Sequence, residues 1–497
     1  MSLRKQAVSG IKWVSSAQVG QQAVQFATSI VLARLLGPSD FGLLAMALVV
    51  SGFLSVFRDL GTSAAVIQHK DPSQGLLSSI FWANALFGLL SMVALYAIAP
   101  LAAVYYREPR VIPILRALSL VCLVSGVSIL QKALLEQRLA FRAIALIETS
   151  AMMAGSAVAI VSALLGAGVW SLVFKSMVDA LLGTLLLWGF SGYHPRMTFD
   201  WKELKTVRSY SLNLTGFNIL NYFLRNADYL LIGRHLGARD LGFYTLAYRI
   251  MLFPLQNISF VIGRVMFPVF AQLRDQNERF QRGYLDVVKV IALVSFPMML
   301  GLMALSEPFV LTVYGETWNP VIVLLLILAP VGLLQSIVTT VGSIYQAKGR
   351  TDWMFRWGIG SGVLIVGAFI IGIQWGLTGI AAAYAMVTLL IAYPNFAIPF
   401  RLIDLKFPRL VTALVRPLAC SLIMYAFILA LKAAVQAHLP HSGVLAVCIP
   451  VGSLVYLLAA LLMNRRSMRL ILETCGINPS LLVPVLARVS RTVTGRV

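Results

Sequence analysis

The sequence predicts an all-α integral membrane protein with about fourteen transmembrane helices. They form two pseudo-repeated six-helix lobes around a central cleft, followed by two extra C-terminal helices. Three observations predict this fold. Apolar stretches of spanning length recur along the whole chain, basic residues gather in alternate loops, and a motif from the first lobe returns in the second.

Of the 497 residues, 59% are hydrophobic and only 12% are charged, with a mean hydropathy of +0.84. Soluble domains of this length carry far more charge. Apolar runs such as residues 81–101, 321–338 and 444–463, and the two short-linked spans in 161–190, reach the ~20 residues that carry a helix across about 30 Å of hydrocarbon. Only helices and closed barrels satisfy their own backbone groups in lipid, and the period-two alternation of a barrel strand is missing, so the spans are helices. They start near Ile11, Phe41, Ser78, Ile112, Ala143, Val169, Ser209, Leu241, Val287, Pro320, Met354, Leu377, Leu410 and Val444.

These spans divide the chain into an N-lobe (1–190, helices one to six), a cytoplasmic linker (191–208) and a C-lobe (209–400, helices seven to twelve). Two additional helices (401–463) and a basic cytoplasmic tail (464–497) complete it. Linker and tail are both too short for a separate catalytic domain.

A formal net charge of +21 invites a nucleic-acid reading, but placement decides against one. Basic residues crowd into alternate connections: Arg4 and Lys5, Lys70, Lys132 to Arg142, Arg196 to Arg208, Arg274 to Arg282, Lys348 and Arg350, Arg401 to Arg409, and Arg465 to Arg469. The loops between them hold few, as at Arg34, Arg107 and Arg110, Arg234 and Arg239, and Lys432. This is the positive-inside pattern, and it predicts an even number of spans with both termini cytoplasmic. The four cysteines, Cys122, Cys420, Cys448 and Cys475, show no paired spacing and read as small packing residues. No small-residue cleavage site follows the first apolar run, so the first span is expected to be retained.

The internal repeat runs at an offset of about 200 residues. Arg34, Leu36, Gly37, Asp40, Gly42 and Ala47 in VLARLLGPSDFGLLAMA reappear as Arg234, Leu236, Gly237, Asp240, Gly242 and Ala247 in LIGRHLGARDLGFYTLA. In each copy the glycine suits a left-handed helix end and the aspartate suits the cap of the next helix. The helix before each motif carries a polar stripe. In the first span it is Ser15, Gln18, Gln22, Gln25 and Ser29; in the seventh it is Thr215, Asn218, Asn221 or Tyr222, Arg225 and Asp228. Steps of three and four place each set on one helix face. An unpaired polar group in lipid costs several kcal/mol, so both stripes should face water or one another. Two lobes that each present a polar first helix make a transporter the economical architecture.

The phrases VLARLLGPSDFGLLAMA, FRDLGTSAAVIQ, NADYLLIGRHLGARDLGFY and FPLQNISFVIGRVMFPVFAQL carry a resemblance that extends over nearly the whole chain. The chain resembles the Wzx-type oligosaccharide flippases of the multidrug/oligosaccharidyl-lipid/polysaccharide superfamily, nearest to the branch exporting colanic acid or amylovoran-type units. The resemblance implies a V-shaped cavity between two six-helix lobes. It also implies that an undecaprenyl-pyrophosphate-linked oligosaccharide moves across the bacterial inner membrane by alternating access, in a monomer surrounded by membrane lipids and serving a polysaccharide polymerase. Neither a nucleic-acid partner nor a cofactor is expected.

A diphosphate near the membrane needs cations, and intramembrane charge is expensive enough to be functional by default. The candidates are Arg58, Lys175, Arg225, Arg249 and Arg264, with Gln18, Gln22, Gln25, Asn218 and Asn221 of the polar faces as further substrate-binding residues. Arg225 leads because it lies on the polar face well inside its span; an ion pair with Asp228 is the plainer alternative. Arg249 and Arg264, roughly 20 Å apart along one helix, cannot share a diphosphate. Lys175 and Asp179 are one turn apart and can pair locally, and Arg58 can snorkel to the cytoplasmic surface. Glu148, Asp179 and Asp228 are the carboxylates that a proton or sodium gradient would use. Membrane potential alone also drives a diphosphate outward, at about 2.3 kcal/mol per charge per 100 mV. Pro254, Pro268, Pro297 and Pro330 can bend helices or be tolerated kinks.

Two other classes compete. A drug or cation antiporter of the same superfamily would want an acidic cleft, whereas these faces are amide-rich and cationic. A polymerase, ligase or lipid-dependent glycosyltransferase would need a large outer loop or an acid cluster, and acids such as Glu307 and Glu316 stand isolated.

Overall fold

The first helix is the least apolar of the long ones and sets the pattern for the rest. In the computed structural model α1 runs Leu3–Leu35 and turns at Gly37 into α2, Pro38–Ser55. The structure describes residues 3–55, 66, 73–199, 221–259, 266 and 269–464, with α1 side chains described at Gln18 and from Gly20 onward. The chain divides into two compact units, Met1–Thr245 and Leu246–Val497.

The first unit continues through α3 (Gln74–Tyr106), α4 (Val111–Gly126) and α5 (Ile129–Gln137). Next come α6 (Phe141–Leu164), α7 (Trp170–Ser191) and α8 (221–235). Ser73 caps α3 by accepting from the Leu76 N–H at 3.0 Å, which satisfies one of the orphan donors of the first turn. The hairpins α3–α4 and α6–α7 pack along their lengths, α4 lies against α2 and α7, and α1 lies along α6. Their inner core gathers Leu76, Leu77, Ile80, Phe81, Leu130, Leu134 and Tyr193. Tyr193 follows α7 and its hydroxyl meets Ser78 at 3.2 Å, so the chain after the sixth span is tied back onto α3.

α9 (Gly237–Pro254) crosses from one unit to the other and gives way after Pro254 to a π turn, Leu255–Ser259. The second unit holds α10 (Asn277–Ala304), α11 (Ser306–Val313), α12 (Pro320–Val338) and α13 (Val341–Ala347). It continues with α14 (Thr351–Gly372), α15 (Gly376–Leu390), α16 (Ala392–Phe400), α17 (Phe407–Val435) and α18 (His441–Met463). Buried hydroxyls join its centre: Ser295 meets Ser336 at 2.8 Å, Ser259 donates to the Ser336 carbonyl at 2.8 Å, and Tyr284 meets Thr340 at 3.0 Å. The additional pair α17–α18 packs on α10 through Met424, Ile428, Cys448 and Tyr456, whose hydroxyl donates to the Leu293 carbonyl at 2.5 Å. Lys432 pairs with Glu307 at 2.9 Å, and this hydrogen-bonded ammonium holds the Glu307 carboxyl below the usual carboxylate range.

Among the described residues ten helical stretches are long and apolar enough to cross a membrane, and no strand occurs. The stretch Thr351–Phe400 covers the eleventh and twelfth expected spans together. α1 and α9 are full-length helices that do not qualify as apolar. The expected start of the seventh span, with residues 200–220, lies outside the described residues, as does Pro268. The remaining expected starts fall within four residues of a helix start, apart from the first and the ninth. α1 begins at Leu3, before the expected Ile11, and α10 begins at Asn277, ten residues before Val287. Those ten residues, NERFQRGYLD, are helical but too polar for an apolar run to reveal.

The fourth and tenth spans share a feature that apolarity does not show. Each is interrupted toward its end: α4 and α5 part at residues 127–128, and α12 and α13 part at Thr339 and Thr340. The two spans hold equivalent places in the two six-helix sets, so the repeat extends beyond the quoted motifs.

Candidate functional site

The polar face of α1 divides into a packed edge and an open one. Gln21 donates from Nε2 to Thr149 Oγ1 at 3.0 Å, fixing α1 to α6. Residues 18, 22 and 25 lie on the neighbouring part of the same face, since each residue turns about 100°. Gln18 and Gln22 are half-buried and Gln25 is exposed, and further along Thr28 and Ser29 are buried. Three amides therefore remain at the open edge, each with donors and an acceptor for a hydroxyl-rich ligand.

α8 is held by its flanking side chains, which leaves Arg225 uncovered. The Tyr222 hydroxyl donates to the Val49 carbonyl at 2.6 Å, with Phe53 against Phe223 at 4.9 Å between ring centroids. Asp228 is 3% exposed and accepts from the Tyr244 hydroxyl and the Tyr229 N–H, both at 2.9 Å. The ion pair of Arg225 with Asp228 that spacing allows is not made, because Tyr244 of α9 takes the carboxylate instead. Arg225 is exposed, and the ion pairs among the described residues do not include it. Asn221, one turn earlier on α8, is half-buried.

The two motif copies meet. A Cβ added to Gly42 would collide with the Ala238 carbonyl, and one added to Gly242 would collide with the Pro38 carbonyl. Pro38 and Ala238 are themselves repeat partners, as are Gly42 and Gly242, so the contact is reciprocal. Each N-terminal turn, of α2 and of α9, lays its backbone on the other's glycine. This gives the repeated glycine a reason that a helix-end role does not supply. Asp40 does not take the cap position expected of it: it is the third residue of α2, and from there its carboxylate reaches back to accept from the Gly37 N–H at 3.0 Å.

Lys175 Nζ and Asp179 Oδ2 pair at 2.6 Å on α7, and Gly155 of α6 leaves room for the carboxylate. The second oxygen, Oδ1, is buried without a hydrogen-bond partner. Removing either partner strands the other charge, whereas removing both does not. Lys175→Met and Asp179→Asn are each expected to lower the melting temperature of the purified protein. The double variant should recover part of the loss, through a coupling of about 1 kcal/mol. Equal and additive losses would show that the pair contributes nothing.

Glu148 is exposed and pairs with Lys132 at 2.7 Å, across α6 and α5. Arg249 is exposed on α9, next to Tyr248, whose ring lies 6.3 Å from that of Tyr384. Arg58, Asn218 and Arg264 lie outside the described residues. The structure thus brings Gln18, Gln22 and Gln25 together on α1 and places Asn221 and Arg225 together on α8.

A family model for polysaccharide biosynthesis proteins matches residues 31–323, more than half of the chain. The chain belongs to the polysaccharide biosynthesis protein family. The matched region contains both glycine motifs and Arg225. Among its relatives, the lipopolysaccharide biosynthesis protein WzxC of Escherichia coli K12 is 32% identical over 397 residues, covering 78% of this chain and 80% of its own. The succinoglycan biosynthesis transport protein ExoT of Rhizobium meliloti 1021 is 27% identical over 468 residues, 93% of this chain and 94% of its own. Among solved structures, the lipid II flippase MurJ in an inward closed conformation matches with a TM-score of 0.75. It is 15% identical and covers 92% of this chain and 99% of that one. The chain is a multi-pass helical membrane protein with that transporter fold.

Proposed function

We propose that the protein flips an undecaprenyl-pyrophosphate-linked oligosaccharide repeat unit across the bacterial inner membrane by alternating access, supplying exopolysaccharide, capsule or lipopolysaccharide assembly. The observation that carries this reading is a pair of repeat-related helices, α1 with a row of amides on one face and α8 with an exposed arginine that has no carboxylate partner among the described residues. Membership of a polysaccharide biosynthesis family supports it, as do relatives named as a lipopolysaccharide biosynthesis protein and a succinoglycan transport protein.

In this reading Gln18, Gln22, Gln25, Asn218 and Asn221 exchange hydrogen bonds with sugar hydroxyls. Arg225 takes the diphosphate through its two-pronged guanidinium. Arg249, Arg58, Lys175 and Arg264 supply positive potential along the route. Both termini are cytoplasmic, the protein works as a monomer without a cofactor, and a polymerase takes up the delivered unit. It is a transporter and catalyses no covalent step.

Membrane potential drives a diphosphate outward unaided. Where a proton or sodium gradient contributes, Asp179 is the best suited of Asp228, Asp179 and Glu148. Asp228 is engaged by Tyr244 and the Tyr229 amide, and Glu148 is exposed beside Lys132. Asp179 alone keeps a buried oxygen without a partner. The partnered carboxylates also argue against a cation antiporter.

Deleting the gene should stop polymer output and leave a lipid-linked oligosaccharide accumulating on the cytoplasmic face; its sugar composition names the substrate. Unchanged polymer with no accumulation would reject the flippase reading. In proteoliposomes, lipid-linked oligosaccharide should compete for transport and an organic cation should not.

A further inference from the structure

Arg116 of α4 stands on an exposed apolar surface, beside an aromatic face. Its guanidinium carbon lies 4.6 Å from the centroid of the Tyr96 ring on α3. Arg116 is exposed and Tyr96 is 51% exposed. Around them Leu89, Val93 and Leu120 are exposed too. On α3 the exposed positions Leu86, Leu90, Val93, Leu101 and Val104 recur at helical spacing, and both helices belong to stretches apolar enough to cross a membrane. A continuous apolar stripe of this kind is the side a spanning helix turns to acyl chains.

A cation on such a surface calls for an anion. No ion pair among the described residues includes Arg116, and the nearby Glu108 is engaged by Arg110 at 2.8 Å. Tyr96 covers one face of the guanidinium through a cation–π contact, which leaves the edge with its N–H donors open. That edge matches two oxygens of one phosphate. Arg116 is five residues after Val111, the first residue of α4, hence about 7 Å along the axis from the helix end, and a side chain so near the end of a spanning helix can extend toward the headgroups. Arg107 adds a further exposed cation at the same end of α3.

We propose that Tyr96 and Arg116 form a binding site for the headgroup phosphate of an anionic phospholipid, in the leaflet that surrounds the Val111 end of α4. In the orientation proposed above this is the outer leaflet; the site itself does not rest on the flippase reading. A phospholipid fits better than a soluble phosphate because its own acyl chains cover Leu89, Val93 and Leu120.

The test is native mass spectrometry of the full-length protein with phosphatidylglycerol or phosphatidylcholine added to delipidated samples. The wild type should retain one phosphatidylglycerol about tenfold more tightly than Arg116→Gln does, with no such difference for phosphatidylcholine. Tyr96→Leu should weaken retention severalfold and Tyr96→Phe should preserve it, because the ring and not the hydroxyl covers the guanidinium. Equal retention of phosphatidylglycerol by wild type and Arg116→Gln would overturn the site. Displacement of the bound lipid by an equimolar polyprenyl diphosphate would overturn the phospholipid as its occupant.

Discussion

Replacing Arg225 by alanine is expected to abolish polysaccharide export while the protein stays in the membrane at its normal level. Both halves follow from the same geometry. Arg225 is exposed and no carboxylate among the described residues depends on it, since Asp228 draws its hydrogen bonds from Tyr244 and the Tyr229 amide. Truncation therefore leaves no buried charge stranded, and α8 keeps its anchors at Tyr222 and Phe223. In the proposed function, what is lost is a charge-assisted, two-pronged contact to a diphosphate. At about 3 kcal/mol for hydrogen bonds between charged groups, transport falls roughly a hundredfold. Arg225→Lys keeps the charge without the fork and should recover part of the export. Polymer in the medium, measured against protein in isolated membranes, separates transport from insertion. Normal polymer output from the alanine variant would remove Arg225 from the site.

The reach of the sequence differed from one kind of interaction to another. Most helix starts were legible because an apolar run announces a span, and α10 escaped because its first turns, from Asn277 to Asp286, are polar. Contacts within one helix were legible too: Lys175 and Asp179 pair as their four-residue spacing suggests. Contacts between helices were not. Asp228 had a plausible partner in Arg225 three residues away, yet it bonds Tyr244, sixteen residues on. Glu148, expected in the membrane, meets Lys132 of the preceding short helix. Of the paired breaks, the one at residues 127–128 is bordered by Gly126, while Thr339 and Thr340 themselves include no proline or glycine to mark the other. The repeat itself was plain in the sequence, but the reason for its second glycine is tertiary and emerges only once Pro38 and Ala238 are located.

That reason leaves no room for a side chain at either glycine of the pair. Gly42→Val and Gly242→Val should each deplete folded protein from the membrane. The atom in the way is a backbone carbonyl, of Ala238 in one case and Pro38 in the other, and unlike a side chain it has no rotamer by which to swing aside. Overpacking of this kind costs about 3 kcal/mol, so surviving protein should melt roughly 5 to 10 °C lower. Gly189→Ala is the matching control: nothing lies within 4 Å of its added Cβ, and alanine in a helix interior gains about 0.5 to 1 kcal/mol over glycine. The reciprocal arrangement adds a sharper expectation. Once one valine has forced the first turns of α2 and α9 apart, the second enters space already opened, so the double variant should lose clearly less than the sum of the two single losses. Thermal unfolding of the detergent-solubilised variants measures this directly. Strict additivity would mean that each glycine is crowded by its own local surroundings and that the two motif copies do not share one contact.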